Sequence, residues 1–185
     1  MRIIGIDPGT SVTGIGVIEI LNGSVKLIHF GNVTLNSKDH MTVRLKRIYD
    51  ECLECIKKYK PQELAIETAF YSKNIQSTLK LGQARGVAII AGLNSEINIS
   101  EYSPREIKKS VTGNGASSKD QVMYMVSSIL NLKKQKIPVD SSDALAIAIC
   151  HSFNLQSVIV PSSKSSVKNS WKSFLEKNPQ RSNST

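Results

Sequence analysis

Arg2-Ile3-Ile4-Gly5-Ile6-Asp7-Pro8-Gly9-Thr10 opens the chain, and Thr13-Gly14-Ile15-Gly16-Val17-Ile18-Glu19-Ile20 follows it. The first stretch is a short apolar run stopped by an acid and a Pro-Gly turn, the pattern of a buried strand over residues 2–7. The second predicts a strand over 13–20. Asn22-Gly23 comes next. That pair suits a tight hairpin, because both turn positions need positive φ. Residues 25–34 form the return strand, so the chain begins as an antiparallel meander of three strands.

Outward from the meander the period changes. Met41, Leu45, Ile48, Cys52, Cys55, Ile56 and Tyr59 recur at steps of three and four, which lines one face of a helix. Pro61 ends that helix, since proline disfavours helical backbone in the residue before it. A fourth strand is expected over 62–67. A helix from Asn74 to Gly92 carries Ile75, Leu79, Val87 and Ile90. A fifth, shorter strand follows over 97–101, then short helices over 103–110 and 119–131. A last helix runs from Asp140 to Phe153, after Pro138. A meander followed by alternating strands and helices predicts an α/β fold. Its mixed sheet has five strands, three antiparallel and then parallel ones, with helices on both faces.

The chain has 185 residues, 40% of them apolar, enough for one domain with a real core. Lys and Arg number 24 against 15 Asp and Glu, a net charge of +9 that suits a polyanionic partner. From Pro161 onward five basic residues (Lys164, Lys168, Lys172, Lys177, Arg181) face one acid, Glu176. That leaves 19 against 14 in the body, which stays basic. The division expected is a domain over 1–158 and a basic, Ser/Lys/Asn-rich flexible tail over 159–185, with one amphipathic turn at Val167, Trp171, Phe174 and Leu175. Deleting the tail is expected to flatten the salt dependence of binding to such a polyanion. The N-terminal apolar run is too short for a signal peptide, and no segment reaches the roughly 20 apolar residues of a membrane helix. Three cysteines do not pair off, which fits a reducing, cytoplasmic setting. Cys52 and Cys55 lie in a helical pattern with no partner pair at zinc spacing, so core packing is expected of them.

Four acids carry the chemistry. Asp7 ends the first strand and Glu67 the fourth, while Asp140 and Asp143 open the last helix at i and i+3 and so share a face. Strand ends and helix starts can meet at one edge of a sheet. Four carboxylates there would repel each other unless cations sat between them. Hard divalent ions take oxygen ligands and activate water for phosphodiester cleavage. Taken singly, each acid has a plainer role: Asp140 as an N-cap, Asp143 as an ordinary helical residue, Asp7 as the start of the Pro-Gly turn. The joint arrangement requires that, without metal, at least one acid has a raised pKa.

Five segments in this order resemble the RuvC family of Holliday-junction resolvases, endonucleases of the ribonuclease H-like fold. They are Ile4-Gly5-Ile6-Asp7-Pro8-Gly9-Thr10, Ala65-Ile66-Glu67, Lys80-Leu81-Gly82-Gln83-Ala84-Arg85-Gly86-Val87-Ala88, Glu101-Tyr102-Ser103-Pro104 and Asp140-Ser141-Ser142-Asp143-Ala144-Leu145-Ala146. The resemblance spans roughly residues 1 to 155. It implies Asp7, Glu67, Asp140 and Asp143 as catalytic, metal-holding acids and Mg²⁺ as the cofactor, two ions per site, with Mn²⁺ as a substitute. It implies paired cuts across four-way junction DNA, a homodimer, and work beside the RuvA–RuvB branch-migration complex. It also implies Lys108 and Lys119 as contacts to the scissile strand and Phe70 as the aromatic that probes the junction. For Tyr71 packing on the sheet is expected, and for Lys109 a solvated face. Thr68 stands where a relative has Gln. Arg85, between Gly82 and Gly86, is expected at a dimer contact on the 74–92 helix, and His151 in the core or behind the acids.

Three rivals are weighed. An actin- or sugar-kinase-like ATPase shares the Asp7-Pro8-Gly9-Thr10 hairpin, but this chain has no second phosphate hairpin. A catalytically idle DNA-binding module would have lost an acid. Another ribonuclease H-fold nuclease, acting on hybrids or flaps, is opposed only by the segments around Phe70 and Arg85.

Overall fold

The computed structural model describes residues 1–68, 74–132 and 136–159, with side chains as far as Gln156. Phe70, Tyr71, Lys73 and the tail from residue 160 lie outside the described residues. The elements run β1 (Arg2–Asp7), β2 (Val12–Leu21), β3 (Ser24–Thr34), α1 (Met41–Tyr59), β4 (Glu63–Glu67), α2 (Ile75–Leu93), β5 (Asn98–Tyr102), α3 (Pro104–Thr112), α4 (Lys119–Ile129) and α5 (Val139–Ile159). The chain divides into two compact units, Met1–Asn154 and Leu155–Thr185; the fold described here is that of the first. No described helix is long and apolar enough to cross a membrane.

The sheet has the expected five strands, in the order β3-β2-β1-β4-β5. β1 runs antiparallel to β2 and parallel to β4, and β4 is parallel to β5. The hairpin turn has positive φ at both Asn22 (52°) and Gly23 (76°), as the Asn-Gly pair requires. Alternate strand residues face opposite sides. Ile4 and Ile6 join Leu64 and Ile66 in one core layer with Ile48, Cys52 and Ile56 of α1 and Ala84, Ala88 and Ala91 of α2. Cys52 and Cys55 are packed in or against that layer, with thiols pushed up by burial to about 12 and about 11, so they serve the core.

The other face of the sheet seats α5, and glycine makes the seat. Gly5 pairs with Gly16, and Asp7 with Gly14. A Cβ at Gly5 would collide with the carbonyl of Ala144, and one at Gly14 with the carbonyl of Asp140. Ala144 to Cys150 are all buried, which is why this helix is apolar all round rather than along one stripe. It also continues past Phe153, where the sequence pattern ended it. No Gly or Pro interrupts the chain between Asp140 and Pro161, and the Asn154 side chain packs back on the helix, Nδ2 donating to the carbonyl of Cys150 at 2.9 Å.

Caps set the remaining helices. Asn74 caps α2 by accepting from the amide of Ser77. Ser103 with Glu106 opens α3, and Ser118 with Gln121 opens α4, both as reciprocal capping boxes. The 113–117 connection, flexible by composition, is tied by Thr112 Oγ1 to Ser117 Oγ at 2.8 Å and by the Ala116 amide to Asn114 Oδ1 at 3.0 Å.

Candidate active site

β1 is the central strand, and its parallel pairing with β4 brings the C-terminal residues Asp7 and Glu67 to the same sheet edge. α5, seated on Gly14 and Gly5, delivers its first turns to that edge. Asp7, Glu67 and Asp143 line one open cleft of about 250 Å³. Lys108 of α3 and Lys119 of α4 line it too, against an apolar wall that includes Ile107, Val122 and Ile147. Asp140 does not line this cleft. It stands at its side, in a groove shared with residues Gly9 to Val12 and with Ser77 and Leu81 of α2. The acid is still close enough for its charge to act on Asp7. Nor is it an N-cap. The amide of Ser142 bonds the carbonyl of Pro138 at 2.9 Å, which starts the helix one residue before Asp140.

Polar contacts hold the acids in place. Lys119 Nζ donates to Asp143 Oδ2 at 3.0 Å. Asn32 of β3 donates from Nδ2 to Asp140 Oδ2 at 3.4 Å and accepts from Ser141 Oγ at 2.6 Å. The turn after Asp7 is closed by the buried Thr13 hydroxyl, which donates to the carbonyl of Gly9 at 3.1 Å and accepts its amide at 3.2 Å.

Burial, then the charges of Glu67 and Asp143, push the Asp7 carboxyl up to about 7; Lys119 pulls the other way and Asp140 adds a smaller upward push. Glu67 is raised by burial and by Asp143, against Lys119 and Lys108. Lys119 is raised by its hydrogen bond to Asp143 and by that acid's charge. These shifts match the crowding inferred for the acids. Among the described residues no three His, Cys, Asp or Glu side chains form a finished ion-binding group, so the acids line a cleft and its rim rather than a closed chelate. The donor set still fits a hard divalent cation. Every donor is a carboxylate oxygen, and a cation would favour the ionised form of Asp7, whose carboxyl is pushed up to about 7 by burial and then by the neighbouring acids.

A stability prediction follows for the metal-free protein. Asp7 keeps its proton when folded up to about pH 7 but releases it near 3.8 when unfolded. The folded state thus binds more protons across that window, so stability falls as pH rises from about 4 to about 7. Glu67 acts in the same direction. Thermal melts in EDTA should show the midpoint dropping across this range, and Asp7→Asn should flatten the drop. A midpoint that rises with pH would contradict this.

The histidines and Arg85 have definite places. His151 is buried and does not touch the acids. Its Nδ1 bonds Tyr102 Oη at 2.7 Å, its Nε2 lies 3.4 Å from Glu63, and burial lowers its pKa. Arg85 does not face outward. Its Nε donates to the carbonyl of Glu67 at 3.1 Å, and its guanidinium pairs with Glu101, tying α2 to the ends of β4 and β5. His29 stacks on Tyr59, and His40 precedes α1. Sequence reasoning missed Asn32 and Thr13. A lone Asn in a strand gives no sign of what it faces until the strand register is known.

The model of the family described as crossover junction endodeoxyribonuclease RuvC matches residues 3–151. The chain belongs to the RuvC family. Crossover junction endodeoxyribonuclease RuvC of Christiangramia forsetii is 43% identical over 97% of this chain and 91% of that protein. The enzyme of the same name from Porphyromonas gingivalis is 42% identical over 97% and 95%. Among solved structures, Thermus thermophilus RuvC superposes with a TM-score of 0.79 at 30% identity, covering 85% of this chain and 97% of that one. The same RuvC in complex with Holliday junction substrate gives 0.77 at 29% identity, covering 84% and 96%. The ribonuclease H-like architecture expected from the sequence is therefore the observed one, and the chain is an endonuclease of the RuvC family.

Proposed function

We propose that this protein resolves four-way DNA junctions by paired, symmetric, metal-dependent nicks that leave 5′-phosphate and 3′-hydroxyl ends. The observation that carries this reading is the cleft where Asp7, Glu67 and Asp143 meet two lysines, at the sheet edge of a RuvC-family fold. Asp7, Glu67, Asp140 and Asp143 would hold two Mg²⁺ ions, with Mn²⁺ as a substitute. Bound there, such ions supply an activated water and charge stabilisation at the leaving oxygen. The chain's own residues do the rest. The buried sheet edge fixes Asp7 and Glu67. Lys119, 70% exposed at its side chain, is free to leave Asp143 for a DNA phosphate. Lys108 offers a second phosphate contact on the same wall. Phe70 is the proposed probe of unpaired bases. The nuclease domain is taken as 1–158, with the basic tail 159–185 adding nonspecific DNA affinity.

A four-way junction presents two equivalent strands related by a two-fold axis, so symmetric cutting asks for two protomers. α2 supports a homodimer. Ile75, Leu79, Ile90 and Leu93 are 74, 59, 48 and 55% exposed. They share one helical stripe with Gly82 and Gly86, where an added Cβ would meet nothing. The dimer would act beside a RuvA–RuvB branch-migration complex.

The deciding experiment offers a mobile four-way junction and a linear duplex, each with Mg²⁺ and with EDTA. Symmetric nicks on the junction alone, and only with metal, are expected. Equal cutting of duplex, or full activity in EDTA, would overturn the assignment. Lys119→Ala and Lys108→Ala should each lower the slope of log affinity against log salt by about 1 and slow cleavage about 10-fold or more. Unchanged slopes would remove both from the DNA path.

A further inference from the structure

Three strands place a row of residues across the face that carries α5. Asn32 of β3 pairs with Gly14 of β2, and Gly14 pairs with Asp7 of β1. The middle position has no side chain, and the backbone of Asp140 fills that space, against which a Cβ at Gly14 would collide. Asp140 therefore lies over the row between Asp7 on one side and Asn32 on the other. The Asn32 amide has a defined orientation. Ser141 Oγ, fully buried, donates to Oδ1 at 2.6 Å, and Nδ2 then points to Asp140 Oδ2 at 3.4 Å. A flipped amide would aim an acceptor at the Asp140 carboxylate. The contact engages Oδ2 of Asp140.

We propose that Asn32 is a positioning residue for Asp140: oriented by Ser141, it limits the carboxylate to one position over Gly14, beside Asp7, and so tunes how tightly the site binds a divalent ion. This rests on the reading of Asp140 as a metal-holding acid. Asn32 touches neither ion nor DNA. It acts on Asp140 as outer hydrogen-bond partners act on metal-ligating carboxylates elsewhere.

The test uses the full chain and the variants Asn32→Ala, Asn32→Asp and Ser141→Ala. Calorimetric titration with Mn²⁺, without DNA, should show Asn32→Ala binding about 10-fold more weakly. Asn32→Asp keeps the shape but replaces the donor to Asp140 by a carboxylate, so its affinity should also depart from the parent's. Ser141→Ala should shift affinity the same way by less, and the Asn32→Ala/Ser141→Ala double variant should be no worse than Asn32→Ala. In junction cleavage the half-saturating Mg²⁺ concentration should rise by a similar factor, with the rate recovered at high Mg²⁺. Junction binding in EDTA should stay near that of the parent, while the thermal midpoint should fall modestly in Asn32→Ala, which leaves the buried Ser141 hydroxyl without its acceptor. A purely structural role would lower the midpoint and leave the half-saturating Mg²⁺ unmoved, which overturns the proposal, as would unchanged Mn²⁺ affinity in Asn32→Ala. Should the parent protein bind Mn²⁺ but cut no junction, the resolvase reading fails while the titrations still judge Asn32. Absence of Mn²⁺ binding by the parent overturns both.

Discussion

Asp7→Asn is expected to abolish junction cleavage while leaving junction binding intact. Asp7 sits at the end of the central strand, and its carboxyl is the one that burial and the neighbouring acids push up to about 7. The amide is nearly the same shape and removes a buried charge, so the fold should hold or gain stability above pH 7. It also removes no cation from the cleft wall that Lys108 and Lys119 form. What it loses is a charged oxygen at the point where the acids converge, worth several kcal/mol of transition-state stabilisation in metal-assisted hydrolysis. At about 1.4 kcal/mol per tenfold, cleavage should fall about 10³-fold or more. Single-turnover cleavage with Mg²⁺, beside a gel-shift titration in EDTA, measures both halves. Loss of binding in step with cleavage would mean that Asp7 shapes the DNA surface instead.

Gly14→Ala should damage the site from a residue that bears no chemistry. Its Cβ would collide with the Asp140 carbonyl oxygen, in the tightest part of the seat for α5. Overpacking of this kind costs about 1–3 kcal/mol. The strain is relieved only by lifting the helix start that carries Asp140 and Asp143. A displacement of about 1 Å at reacting groups costs about 10²-fold in rate. Gly31→Ala on β3 is the matched control, since its Cβ would meet only the flexible ring of His29 at ordinary contact distance. Melting temperature and cleavage rate should both stay near the parent for Gly31→Ala and both fall for Gly14→Ala. Normal cutting by Gly14→Ala would show that the seating of α5 does not place the acids.

Asp7 and Glu67 were legible because each acid follows an apolar strand, and parallel strands bring their C-terminal ends to one edge. The five strands were legible for the same reason, helped by Asn22-Gly23. The division of labour between Asp140 and Asp143 was not. Spacing of i and i+3 puts them on one helix face, yet α5 crosses the sheet at Gly14. One acid therefore meets Asn32 of β3 and the other Lys119 of α4. That outcome depends on the register across β3, β2 and β1, which no local pattern encodes. Arg85 shows the same limit. The two glycines beside it do leave an open helix face, but the arginine itself turns to Glu67 and Glu101. The length of α5 was misjudged because its end lacks the glycine or proline that usually marks a stop.

Crystals grown with Mn²⁺ give the most direct measurement, because anomalous scattering places the ion without assumption. Density is expected at the sheet edge, ligated by Asp7 and shared with Glu67 and with carboxylates from the start of α5, and it should vanish in Asp7→Asn. Mn²⁺ bound only at scattered surface acids, with Asp7 unliganded in crystals that saturate other sites, would contradict a single pocket assembled from three distant stretches of the chain.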